Sequence, residues 1–145
     1  MKVLVAWVLI AAGLISSARA EDPETIAAHM AGSYVVIGRH PDSEKTYQGQ
    51  IVFSENNGVL KAIRTIDGKT VEATATMGTA TGDKLPVLRI RFEQDGTVWE
   101  GIYQWKTDLD NYFRLTGYVF QPQATHRVPG LEVCFPADAF KGFDE

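Results

Sequence analysis

The chain has 145 residues, 45% of them hydrophobic, with 14 Lys and Arg against 18 Asp and Glu, a net charge of −4 with His neutral. That length fits one domain with a core of its own, and a single cysteine excludes a fold stapled by internal disulfides. An acidic chain without a Lys/Arg cluster is a poor match for nucleic acid or an anionic membrane surface.

Residues 1–20 read as a signal peptide. Lys2 is followed by an apolar run from Val3 to Ile15, and Ala18-Arg19-Ala20 offers a small-residue cleavage site before Glu21-Asp22-Pro23. The run is shorter than the roughly 20 residues of a spanning helix, so no membrane span is expected and export to the periplasm or beyond is. Residues 21–145 then form a single β-barrel domain with 12 basic and 18 acidic residues, a net charge of −6.

A short helix over Pro23 to Met30 is followed by eight strand-like segments: Ser33 to Arg39, Thr46 to Phe53, Val59 to Ile66, Lys69 to Gly78, Leu85 to Glu93, Thr97 to Lys106, Asn111 to Phe120 and Leu131 to Phe135. Asn57-Gly58, Asp67-Gly68 and Asp95-Gly96 are two-residue hairpin signals, because these residues accept the positive φ of primed turns. No segment of crossover length separates any two strands, which leaves an antiparallel meander.

Turn chemistry then fixes register. The Asp67-Gly68 turn sets Arg64 opposite Val71 and Ala62 opposite Ala73. The Asn57-Gly58 turn sets Phe53 opposite Ala62 and Ile51 opposite Arg64, which extends the same apolar row to Tyr47. The Asp95-Gly96 turn sets Phe92 opposite Trp99 and Leu88 opposite Tyr103, with Arg91 and Glu100 paired on the reverse side. Continuing the row past Asp108-Leu109-Asp110 puts Phe113 opposite Trp105 and Leu115 opposite Tyr103. Phe113, Leu115, Gly117 and Val119 then face inward, while Tyr112, Arg114, Thr116 and Tyr118 face out. Closure of eight such strands into an up-and-down barrel removes both edges and requires no Greek-key crossover.

Gly32-Ser33-Tyr34 after a short helix is similar to the Gly-x-Trp that opens the first strand of lipocalins, and the meander spans the rest of the chain. In these features the chain resembles the calycin group, the lipocalins and their avidin and fatty-acid-binding relatives. Gly38, Pro41-Asp42 and Tyr47-x-Gly49 also resemble small exported bacterial proteins of unassigned function. The calycin resemblance implies a barrel open at the end opposite the helix.

No Asp, Glu or His stands at an inward position assigned by these registers, which disfavours an internal active site. The chain is therefore read as a non-enzyme. Gly49, Ala62, Ala73, Ala75, Gly101 and Gly117 fall near mid-strand, and small residues there favour room for one small ligand over a barrel packed upon itself. Arg64 is the one charge in the row and must meet a carboxylate, carbonyls, water or an anionic ligand, or snorkel to solvent. With Tyr47, Phe92, Trp99 and Tyr103 it makes a candidate site for a small apolar, anionic molecule at the open mouth.

His29, His40 and His126 lack ligand spacing, and Asp108 to Asn111 lacks the later residues of a calcium loop, so neither a metal nor another cofactor is expected. The loop histidines His40 and His126 read as solvated. Cys134 reads as a small buried hydrophobe. An outward cluster of Tyr112, Tyr118, Phe120 and Ile102 supports the alternative, a protein-interaction module with a filled barrel. Its partner would be a secreted hydrolase, an envelope component or a second copy in a homodimer.

Overall fold

The structure, a computed structural model, describes residues 23–81, 84–105 and 114–140. Helix α1 (Pro23–Met30) leads into β1 (Gly32–Arg39), β2 (Thr46–Asn56), β3 (Val59–Ile66), β4 (Lys69–Ala80), β5 (Leu85–Gln94), β6 (Thr97–Gln104), β7 (Leu115–Phe120) and β8 (Gly130–Pro136). All pair antiparallel in sequence order, and β8 returns to pair with β1, closing the barrel. This is an all-β up-and-down barrel, an architecture compatible with the calycin group. No described helix is long and apolar enough to cross a membrane.

The hairpin turns explain the order. Asp67 and Gly68 sit at φ 48° and 79°, the left-handed conformation of a type I′ turn, and Asn57-Gly58 and Asp95-Gly96 do the same. Their registers match the expectation: Arg64 pairs Val71, Ile51 pairs Arg64, and Phe92 pairs Trp99. Inward residues alternate with outward ones along each strand, as the pleat demands. Ile51, Leu88, Ile90 and Leu115 lie in the core beside Tyr34, Phe53 and Trp105.

Two expectations need correction. Tyr103 pairs with Gly117, not with Leu115, so β7 is displaced by two residues against β6. β6 ends at Gln104 and β7 begins at Leu115, and only a two-residue turn fixes register by itself. A displacement of two keeps every side chain on its face, so Leu115, Gly117 and Val119 still point in and Tyr118 is 54% exposed. Lys106, Asp108 to Asn111, Tyr112 and Phe113 lie outside the described residues. Arg91 stands opposite Glu100 in the ladder, yet the ion pair is the diagonal one from Arg89, at 3.1 Å.

The connections of β1 to β2 and of β7 to β8 share one end with the Asp67-Gly68 and Asp95-Gly96 turns, opposite α1. Asp42 ties the two longer loops together. Its Oδ1 accepts from the backbone N–H groups of Arg127 (3.0 Å) and Val128 (2.8 Å), and its own N–H donates to the Val128 carbonyl.

Candidate functional site

The interior is organised around Glu132 of β8. Register places it beside Gly38 of β1 on one flank and Gly117 of β7 on the other. Beyond these glycines stand Tyr47 of β2 and Tyr103 of β6, so five neighbouring strands contribute one layer in the order Tyr, Gly, Glu, Gly, Tyr. A Cβ at Gly38 would collide with the Tyr47 ring, and one at Gly117 with the backbone of Ile102 and Tyr103. The small residues therefore let the tyrosines lean inward to the carboxylate.

Both hydroxyls reach it. Tyr47 donates to Oε2 at 2.6 Å and Tyr103 to Oε1 at 2.7 Å. Arg64 of β3 completes the set with a bidentate pair, Nη1 to Oε1 at 2.8 Å and Nη2 to Oε2 at 2.6 Å. The pair is deeply buried, Arg64 at 4% exposure and Glu132 at 1%. The Arg64 guanidinium carbon also lies 4.9 Å from the Phe92 ring centre and 5.8 Å from that of Tyr47. A carboxylate offers about four lone-pair positions. Four strong donors occupy them, and the Cys134 thiol points at Oε1 from 3.8 Å.

Electrostatics follow from burial and these partners. Burial opposes the charge on Arg64, but Glu132 outweighs it and holds the guanidinium above its usual range. Burial, then the Glu132 charge, drives Tyr47 and Tyr103 well above the ordinary tyrosine value. Burial pushes the Cys134 thiol up in the same way, which makes it unreactive in the folded state.

The structure thus overturns part of the reading of the interior. An acid does occupy an inward position, and Arg64 is neither a free cation at an open rim nor a side chain snorkelling to water. Glu132 escapes detection because hydrophobicity points the wrong way in Leu-Glu-Val-Cys-Phe: Leu131, Val133 and Phe135 alternate on the outward side while Glu132 and Cys134 face in. One signal was available, since a buried guanidinium requires a carboxylate. Glu132 sits on β8, whose face no two-residue turn fixes.

Of the five candidate residues, Tyr47, Arg64, Phe92 and Trp99 line one pocket at the loop-covered end, and Tyr103 lies deeper, wholly buried. His40, Pro41, Ile66, Gln94 and Val119 complete the lining around about 60 Å³. That is room for a few waters, whereas sites for drug-sized ligands run to roughly 300 Å³ and more. The loop histidines are not simply solvated. His40 packs its ring 4.7 Å from that of Tyr47. His126 meets Asp42 Oδ2 through Nδ1 at 3.3 Å, and its Nε2 accepts from the Gln121 N–H. Among the described residues no cluster of three His, Cys, Asp or Glu converges on a point.

The outer surface divides into two halves. Outward positions on β3 to β6 carry charges of both signs, among them Lys61, Glu72, Arg89, Arg91, Glu93 and Glu100. Outward positions on β7, β8, β1 and β2 read Thr116, Tyr118, Phe120; Leu131, Val133, Phe135; Ser33, Val35, Ile37, Arg39; and Thr46, Gln48, Gln50, Val52, Ser54, Asn56, with Arg39 the one charge among them. Tyr118 stands directly between Ile102 and Leu131, and Ile37 opposite Val133. Ile37 is 48% and Leu131 44% exposed. The chain matches no known family model, and no curated protein matches it.

Proposed function

We propose that this chain is an exported, non-enzymatic protein-interaction module of calycin-like build, with a structural interior and a docking face on β7, β8, β1 and β2. The observation that carries this reading is the outer surface. A solvent-facing half-barrel with exposed Ile37, Leu131 and Tyr118 and no carboxylate has the composition of an interface, where charge is depleted and aromatic and aliphatic side chains gather. The interior argues in the same direction. The Glu132 lone pairs are all engaged by fixed donors, which leaves that carboxylate no lone pair for proton transfer, and the cleft of about 60 Å³ beside Arg64 does not enclose a fatty acid.

The test compares capture of proteins from the extracytoplasmic fraction by the wild-type domain and by Ile37→Glu/Leu131→Glu, with circular dichroism as the check on folding. Wild type retains a specific protein and the variant loses it. The opposite result is a Trp99 fluorescence change on adding a long-chain fatty acid, lost in Arg64→Met, with no protein captured. That result restores the small-ligand reading, which the aromatic lining of the pocket favours.

A further inference from the structure

Arg64 carries an Nε–H that Glu132 does not engage. Both terminal nitrogens bond to the carboxylate, while Nε is buried and finds no acceptor among the described residues, on a side chain only 5% exposed. A buried donor left unpaired carries its full desolvation cost, so such groups are rare in folded chains. The cleft at the loop-covered end lies beside this group. Arg64 lines it together with Phe92 and Tyr47, whose ring centres stand 4.9 and 5.8 Å from the guanidinium carbon, and Ile66, Trp99 and Val119 add apolar wall.

We infer that this cleft is a binding site for a small neutral molecule with a carbonyl oxygen, an amide or a ketone. Its oxygen accepts from Arg64 Nε, and its apolar body rests on Phe92, Trp99 and Val119. Charge selects a neutral acceptor over an anion. The guanidinium has one positive charge, and Glu132 already matches it through bonds of 2.8 and 2.6 Å. A second carboxylate at Nε shares that cation with Glu132 in a buried place where water screens little, and like charges so close disfavour each other. No Lys and no other Arg lines the cleft to offset the repulsion. A carbonyl oxygen takes the hydrogen bond without adding charge. Size sets the rest, since about 60 Å³ admits only a few non-hydrogen atoms. Apolar and aromatic walls around one placed donor are the usual make-up of a small-molecule site. The cleft is interior and the docking face exterior, so this inference stands apart from the interaction reading.

The experiment uses the intact, isotope-labelled protein, with N,N-dimethylacetamide as the neutral probe and isobutyrate as an anion of similar size. Nuclear magnetic resonance follows the Arg64 Nε–H, the Trp99 indole N–H and the Val119 methyl groups. N,N-dimethylacetamide shifts all three in one saturable titration, and isobutyrate binds about tenfold more weakly or not at all. Arg64→Met/Glu132→Leu removes the donor and its counter-charge together and weakens amide binding about tenfold, the worth of one hydrogen bond to a charged group. Val119→Phe fills the cleft and abolishes binding, with circular dichroism as the check on folding, while Ile37→Glu/Leu131→Glu leaves binding unchanged. In the wild-type protein alone, three results overturn the inference. Neither probe gives a saturable shift, which leaves water as the only acceptor; or the amide binds without moving the Arg64 signal; or isobutyrate binds as tightly as the amide. Protein capture by the docking face is measured separately, and none of these results decides it.

Discussion

Glu132 receives both terminal nitrogens of Arg64 from a strand three places around the barrel, at 2.8 and 2.6 Å. Removing one partner leaves the other charge buried without compensation. Arg64→Met or Glu132→Gln is therefore expected to cost about 3–5 kcal/mol in urea unfolding, a large share of a typical 5–15 kcal/mol domain stability. The double replacement Arg64→Met/Glu132→Leu removes both charges and costs much less than the two single changes together. Additive costs would show that the two side chains do not depend on each other.

The tyrosines predict the alkaline limit. Tyr34 is raised to about 12, mainly by burial, and Tyr47 and Tyr103 are also raised well above the ordinary value, by burial and then by Glu132. A folded value above the unfolded one means that folding favours the protonated hydroxyl. The stability is fully present below pH 10, the unfolded value, and is lost as pH rises through about 12. Tyrosinate absorbance and circular dichroism, followed together, will change together for these three residues. Five tyrosines ionising near pH 10 in a folded protein contradict the buried network.

Asp42 predicts the acid behaviour of the loops. Its carboxyl is held below the usual range, first by the Val128 N–H and then by His126 and the Arg127 N–H. The clasp is present above the unfolded aspartate value of 3.8 and is lost as pH falls through the lower folded one. Amide exchange at Arg127 and Val128 will accelerate over that acid range, and Asp42→Ala will produce the same acceleration at neutral pH. Unchanged protection in Asp42→Ala would rule the clasp out.

The glycines divide by what surrounds them. Gly38→Ala forces the Tyr47 ring aside and is expected to cost about 1–3 kcal/mol, as overpacking does. Gly117→Ala meets the backbone of Ile102, which has no rotamer to move to, and is expected to cost more. Gly78→Ala meets nothing nearer than Arg89 Nε at 4.0 Å and serves as the near-neutral control. Thermal unfolding of the three variants tests the ranking.

Much of the fold was legible because short turns speak directly about register. The pairs Ala62 with Ala73, Ile51 with Arg64 and Leu88 with Tyr103 all follow from two-residue loops whose geometry admits one alignment. Where the connection is longer, between β6 and β7, only the face was readable and the alignment was not. The site was harder for a different reason. Small residues at mid-strand look like vacancies in a one-dimensional pattern, and here the space over Gly38 is taken by a tyrosine ring from the adjacent strand. Glu132 carries no periodic signature, since only the need of Arg64 for a counter-charge points to it.

Closure of the ring between β1 and β8 joins the first strand to the last. A nascent chain that has delivered β1 to β7 still lacks both the final seam and the acid that Arg64 requires, 68 positions later. Contacts this distant in sequence slow folding. The barrel therefore assembles late and as a unit, and a chain truncated before β8 stays open, with Arg64 exposed to water and the strand borders of β1 and β7 unprotected.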